Sequence, residues 1–264
     1  MPTTQVGSHT VYYDEHGRGH PLLLIAGLGG TRFSWWKQIG PLSQMSRVIN
    51  LDNRDAGDSA PGRAPYTIAD MADDAAGVLQ ELNLGPAYVM GWSMGGFISL
   101  ELVVRNPALA EKLILVATSA GGPTSVQAAP EIGALLLRRE GEDIEARVRR
   151  TFPLLAGQGY MLAHPEDLDQ LVRNAQAKPM ALESYQRQLG AVMKWEGVSH
   201  QLAQITAPTL VIHGGADPLI PYANGQYLAG YVPGAKLSTY PGVGHLVPIE
   251  AAERFNRDVM EFLS

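Results

Sequence analysis

The sequence predicts an α/β fold in which short buried strands alternate with amphipathic helices, and three observations predict it. Residues 21–26 (PLLLIA) and 112–117 (KLILVA) are nearly continuous apolar runs of strand length, as expected of strands covered on both faces. Stretches with helical spacing separate such runs. Residues 87–101, AYVMGWSMGGFISLE, pass from an apolar strand directly into a helical pattern through Gly91-Trp92-Ser93-Met94-Gly95-Gly96.

Taken in order, residues 10–14 read as an early strand, and His16-Gly17-Arg18-Gly19 as a turn. Strand 21–26 runs into Gly27-Leu28-Gly29-Gly30. A dinucleotide-binding glycine loop is one reading of these residues, with Asp52 at the end of the following strand in its favour. Against it, the third glycine of that motif would fall at Arg32, too large where helix and strand must pack closely. The competing reading is a loop whose backbone N–H at Leu28 faces a developing negative charge. Residues 47–52 form the next strand, and the polar loop 53–59 reads as a hydrogen-bonded corner. Residues 68–82 form a helix, with Thr67 and Asp70 as a capping box and Ile68, Met71, Ala75, Val78, Leu79 and Leu82 at helical spacing. Gly85-Pro86 ends it.

Residues 120–199 lack strand-like runs. Helices are expected at 131–139, 142–151, 165–177 and 179–194, punctuated by Pro153, Pro165 and Pro179. The charged stretch 138–150 carries both signs and reads as a solvated helix face. The sheet resumes at 207–213, followed by a helix near 222–228, a last strand at 236–240 and a final helix over 249–263 with Phe255, Val259, Met260 and Phe262 inward. The chain thus divides into a core of 1–119 and 200–264 and a helical insertion, 120–199. Because ligands of open α/β sheets bind at the carboxyl ends of the strands, an insertion rooted there is expected to lie over the site as a lid.

At 264 residues, 45% hydrophobic and 17% charged, the chain has the composition of one globular domain carrying an insertion. Its net charge of −6 argues against a broad basic face for nucleic acid. The absence of cysteine removes disulfides, thiolate nucleophiles and Cys-ligated metals. The polar start, MPTTQVGSHT, has no apolar core of a signal peptide, and no run approaches the ~20 apolar residues of a membrane span. A cytoplasmic protein that binds neither membrane nor nucleic acid is expected; self-association into a homo-oligomer is left open.

The strand–turn–helix around Ser93 has the form of a nucleophile elbow. The tight turn requires glycine at 91 and 95, where a Cβ would collide with a neighbouring element. A serine hydroxyl is a poor nucleophile at neutral pH. It needs a base, and the base needs a group that fixes its tautomer. Asp217 stands just beyond strand 207–213, in Gly214-Gly215-Ala216-Asp217-Pro218, and His245 just beyond the last strand, in Gly242-Val243-Gly244-His245-Leu246. Asp52, Asp55 and Asp58 are rivals to Asp217, but they follow an earlier strand and suit a structural corner better. His213 reads as a packing residue.

The chain order Ser93, Asp217, His245 and the motifs Gly-x-Ser-x-Gly, His-Gly-Gly-Ala-Asp-Pro and Gly-x-Gly-His-Leu resemble the α/β-hydrolase superfamily along nearly the whole length. Within it the chain is similar to a lidded group of carboxylesterases, enol-lactonases and cofactor-free haloperoxidases. Residues 52–59, DNRDAGDS, match that group's D-x-R-G-x-G-x-S except that Asp55 replaces the usual Gly, and Ala26-Gly27 stands where His-Gly is common. The resemblance implies a mostly parallel eight-stranded sheet with helices on both faces and a lid inserted after strand 6. It implies Ser93 as nucleophile, His245 as base and Asp217 as its partner, with Leu28 and Met94 N–H as oxyanion donors. No metal or organic cofactor is expected. Trp35, Trp92, Trp195, Leu219 and Leu246 are candidates to line an apolar pocket, although each tryptophan, Trp36 included, suits the core better. The expected activity is hydrolysis of an ester or lactone of a small to medium apolar acid. Carbon–carbon bond hydrolysis or perhydrolase/haloperoxidase chemistry with the same residues is an alternative, as is non-catalytic ligand binding.

Overall fold

A computed structural model describes residues 2–138 and 140–264. In chain order it contains β1 (Thr3–Val6), β2 (His9–His16), β3 (His20–Ile25), the single turn α1 (Ile39–Leu42), β4 (Ser46–Leu51), α2 (Ile68–Glu81), β5 (Ala87–Trp92), α3 (Met94–Arg105) and β6 (Ala110–Val116). Next come α4 (Pro130–Gly133), α5 (Ile144–Leu155), α6 (Tyr160–Ala163), α7 (Pro165–Ala177) and α8 (Leu182–Met193). The chain closes with β7 (Thr209–Gly214), α9 (Ala223–Tyr231), β8 (Lys236–Tyr240), α10 (Val247–Glu250) and α11 (Ala252–Leu263).

One eight-stranded sheet runs in the order β1-β2-β4-β3-β5-β6-β7-β8, with β1 and β2 antiparallel to their neighbours and the rest parallel. The apolar runs are buried on both faces, and the two-residue period of a strand sorts their side chains. Leu23, Ile25, Val89, Leu113 and Leu115 join α2 and α3 in one core, while Leu22, Leu24, Met90, Ile114 and Val116 join Trp35, Phe255 and Val259 in the other. β4 and β5 lie on opposite sides of β3, so the strand order reverses at β3 and opens a crevice at the carboxyl ends of β3 and β5.

Helix α2 begins as its sequence dictates. The Thr67 hydroxyl accepts from Asp70 N, and the Asp70 carboxylate accepts from Thr67 N at 2.7 Å. Several other elements depart from expectation, the single turns α1 and α6 among them. β1 was not anticipated, because its alternating exposed residues, TTQV, carry little apolar signal. The helix expected at 131–139 is the single turn α4 and a 3-10 turn ending at Leu136, and its last residue, Arg139, lies outside the described residues. The last helix is broken at Ala251 (φ −129°) into α10 and α11, and Leu263, rather than Met260 or Phe262, is buried with Phe255 and Val259. Pro153 does not end α5 as expected; it lies inside the helix, which gives up the N–H bond at that position and continues to Leu155. Among the described residues no strand lies between β6 and β7; the segment is helical, as expected.

Candidate active site

Ser93 occupies the junction of β5 and α3 at φ 58° and ψ −118°, a backbone conformation that costs a non-glycine residue about 1–3 kcal/mol. It persists because the surroundings over-determine it. Ser93 N donates to Val116 O on the neighbouring strand (2.9 Å), and the Thr118 hydroxyl donates to Ser93 O (2.8 Å). A Cβ on Gly91 would meet the Gly95 carbonyl, and one on Gly95 the Ile25 carbonyl, so neither position accepts a larger residue. The turn leaves Ser93 at the amino end of α3, where the first-turn N–H groups have no intrahelical acceptor.

Asp217 and His245 arrive on the loops after β7 and β8. His245 Nδ1 lies 2.8 Å from Asp217 Oδ2, and both side chains are buried. Asp217 Oδ1 accepts from the Leu219 and Ile220 N–H groups, each at 2.9 Å, which fixes the carboxylate plane. A carboxylate only accepts, so Nδ1 of the neutral ring carries the hydrogen and Nε2 is left with its lone pair. The backbone of this loop is tied on three sides. His245 N donates to Leu155 O in α5 (2.8 Å), His245 O accepts from the Trp92 indole (3.1 Å), and Glu250 accepts from the N–H groups of Gly244, Leu246 and Gly157. Burial pushes the Glu250 carboxyl above its ordinary pKa against the pull of those three donors.

The glycine loop after β3 is held just as firmly. Gln188, fully buried on α8, accepts from Gly29 N and donates to Arg54 O, each at 2.9 Å. The Asn53 amide donates to Ala26 O (3.0 Å), and Asp52 accepts from Arg32 N (2.7 Å), from Asp58 N (2.9 Å) and from the Arg32 guanidinium. Asp52 is therefore the corner residue that the sequence suggested. Among the described residues no protein group accepts the Leu28 N–H.

Ser93, Met94, Leu28 and His245 line one cavity of about 800 Å³, with Asp217 behind the imidazole. Trp92, Trp195, Leu219 and Leu246 also line it. Trp35 does not: it is fully buried beneath, edge-on to Trp92 with ring centroids 5.8 Å apart, and Trp36 takes the place at the wall that the sequence suggested for it. The two residues are adjacent in a 3-10 turn and its cap, and apolarity alone could not say which side chain turned inward. The sequence does not single out Gln188 or Glu250, and Arg138 and Arg147, which fall in the stretch 138–150 read as a solvated helix face, line the cavity instead. For Arg147 a signal existed, because it shares a helical face with Ile144, Val148 and Thr151.

Residues 20–252 match the α/β hydrolase fold family. The chain belongs to that family. A putative carbamate hydrolase, RutD, of Serratia proteamaculans is 33% identical to this α/β hydrolase over 262 residues, covering 96% of each chain. Among solved structures, the enol-lactonase from Burkholderia xenovorans LB400 superposes with a TM-score of 0.87 at 26% identity and covers 99% of each chain. Est816, described as an N-acyl homoserine lactone degrading enzyme, does so at 0.82 and 26%, covering 99% of this chain and all of its own. No helix among the described residues is long and apolar enough to cross a membrane, and among them no cluster of His, Asp and Glu is suited to a metal ion.

Proposed function

We propose that this α/β hydrolase is a serine hydrolase that cleaves a carboxylic ester or lactone through an acyl-enzyme. Ser93 Oγ attacks the carbonyl carbon while His245 Nε2 takes its proton, and Asp217 stabilises the resulting imidazolium and holds its orientation. The carbonyl oxygen becomes an oxyanion facing the N–H groups of Leu28 and Met94; loss of one such donor typically costs ~3 kcal/mol of transition-state stabilisation. Collapse of the tetrahedral intermediate expels the alkoxide, which His245 protonates. Water, deprotonated by the same imidazole, then releases the acid. Every step is proton transfer and acyl transfer by this chain's own groups.

One observation supports the reading most: a buried Asp217–His245 pair at 2.8 Å whose imidazole opens onto the same cavity as a serine held at φ 58°. We assign the helical segment 120–199 the role of a lid. Residues of α5, α7 and α8 line the cavity, and Lys37–Asp167, Arg187–Asp55 and the Gln188 bonds fasten the segment to the core.

The names of the relatives favour a second reading, hydrolysis of a carbamate, which presents the same acyl carbon with nitrogen on one side. The two are separated by turnover of p-nitrophenyl esters of rising chain length, lactones and N-alkyl carbamates side by side. The shared serine mechanism is tested by fluorophosphonate labelling and by Ser93→Ala. Labelling of the wild type at Ser93 and a loss of roughly 10⁴–10⁶-fold in kcat for the variant are expected. Near-native ester hydrolysis by Ser93→Ala would refute the assignment. Peroxide-dependent bromination in acetate outpacing ester turnover would move it to perhydrolase chemistry.

A further inference from the structure

The whole chain carries a net charge of −6, yet among the described residues the cavity wall includes Arg138, Arg147 and Lys178 and no aspartate or glutamate. Lys178 is paired with Asp58 of the core. Arg138 gives one N–H to Met180 O (3.1 Å) and lies over the Tyr185 ring, 5.0 Å from its centroid. Arg147 faces the same ring at 5.9 Å and makes no hydrogen bond or ion pair among the described residues; its Nε is buried without an acceptor. Glu142 attracts it electrostatically and is itself bonded to Arg150. One helical turn beyond Arg147, at the i+4 position, Thr151 also lines the cavity, and its buried hydroxyl has no partner among the described residues.

Buried polar groups in folded proteins are nearly always bonded, and an unpaired buried cation is costlier than an unpaired hydroxyl. Burial, followed by the neighbouring Arg138, depresses the pKa of Arg147 from the ordinary arginine value, so the fold itself does not compensate this charge. A guanidinium beside a second arginine, with an unbonded hydroxyl one helical turn away, forms a site on the cavity wall that a planar anion completes.

We propose that Arg147, with Arg138 and the Thr151 hydroxyl, binds a free carboxylate that the substrate carries in addition to its scissile acyl bond. The inference rests on Ser93 as the acylating residue and narrows the substrate from an apolar ester to an anionic one. The apolar lining, including Trp92, Trp195 and Leu219, then houses the chain between the two ends.

Two matched pairs of esters test it. Mono-p-nitrophenyl glutarate against p-nitrophenyl valerate places the charge on the acyl side, and 4-acetoxybenzoate against its methyl ester places it on the leaving side. Wild-type kcat/KM at least tenfold higher for the charged member of one pair is expected. Arg147→Gln should erase that ratio and Arg147→Lys should keep part of it; a ratio is insensitive to loss of folded protein. No preference in either pair, or a preference that survives Arg147→Gln, overturns the proposal. Failure of every ester together with absence of fluorophosphonate labelling would instead sink the hydrolase reading. In that event calorimetric titration of glutarate decides the anion site alone: saturable binding weakened tenfold in Arg147→Gln upholds it, and no binding overturns it.

Discussion

Ser93 holds a backbone conformation that glycine adopts freely, and the strain is stored where the hydroxyl must stand. Ser93→Gly should therefore be inactive yet more stable than wild type by about 1 kcal/mol, since relief of strain exceeds the extra chain entropy of glycine. Urea unfolding checks this, and a Gly variant less stable than Ser93→Ala would contradict it. His213 bears on stability in a different way. Its Nε2 donates to Ile220 O (2.8 Å), while Nδ1 is buried against Gly225 without a partner. Burial lowers its pKa below the ordinary 6.5, so on acidification the unfolded chain takes the proton first. Stability from this residue is complete above about pH 6.5 and falls as pH drops from there towards the folded-state value. His213→Asn should flatten the decline in urea midpoint between pH 7.5 and 5.5; equal slopes in the two proteins would show that the residue contributes nothing.

At the scale of elements, the polar side chains of α8 decide how the insertion meets the core. Gln188 satisfies a glycine-loop N–H and the Arg54 carbonyl at once. Gln188→Ala leaves both backbone groups buried without partners and should cost about 2–3 kcal/mol of stability. Because Gly29 neighbours Leu28, kcat for a neutral ester should fall while KM holds, and steady-state kinetics on p-nitrophenyl butyrate measures the split. Asp55 shows the same coupling. It stands at φ 70°, a conformation that favours glycine, and its carboxylate binds Arg187 of α8 at 2.6 Å. The strained residue ties the corner loop to the insertion. Helix α5 shows where periodicity was underused: its Arg149 and Arg150 do bond carboxylates at the surface, but Arg147 turns to the cavity.

Across the whole molecule, stability resides in the two cores that the sheet separates. Leu115, fully buried near the carboxyl end of β6, should cost roughly 2–5 kcal/mol when cut to alanine, the usual range for a core leucine. Leu162, 90% exposed on α6, should change stability by less than about 0.5 kcal/mol on the same substitution. Chemical denaturation of both variants checks the contrast, and similar losses would mean that the insertion packs more tightly than its exposure indicates.

The sequence by itself determined what depends on neighbours along the chain. Buried strands declared themselves through apolar runs, α2 through its cap, and the Ser93 turn through glycines that sterics make obligatory. The order of Ser93, Asp217 and His245, each just beyond a strand, was legible because parallel strands deliver their carboxyl ends to one edge. Weak or broken elements were not: β1 has no apolar signature, and the break at Ala251 leaves no mark in periodicity. Only the tertiary structure decided which polar groups found partners. Gln188 reaches Gly29 from 159 residues away, Glu250 gathers N–H groups from two segments, and Arg147 is left without an acceptor inside the cavity. Hydrogen bonding is satisfied in space rather than along the chain, so local patterns specify the elements and their turns, while the chemistry of the cavity wall emerges when distant elements pack.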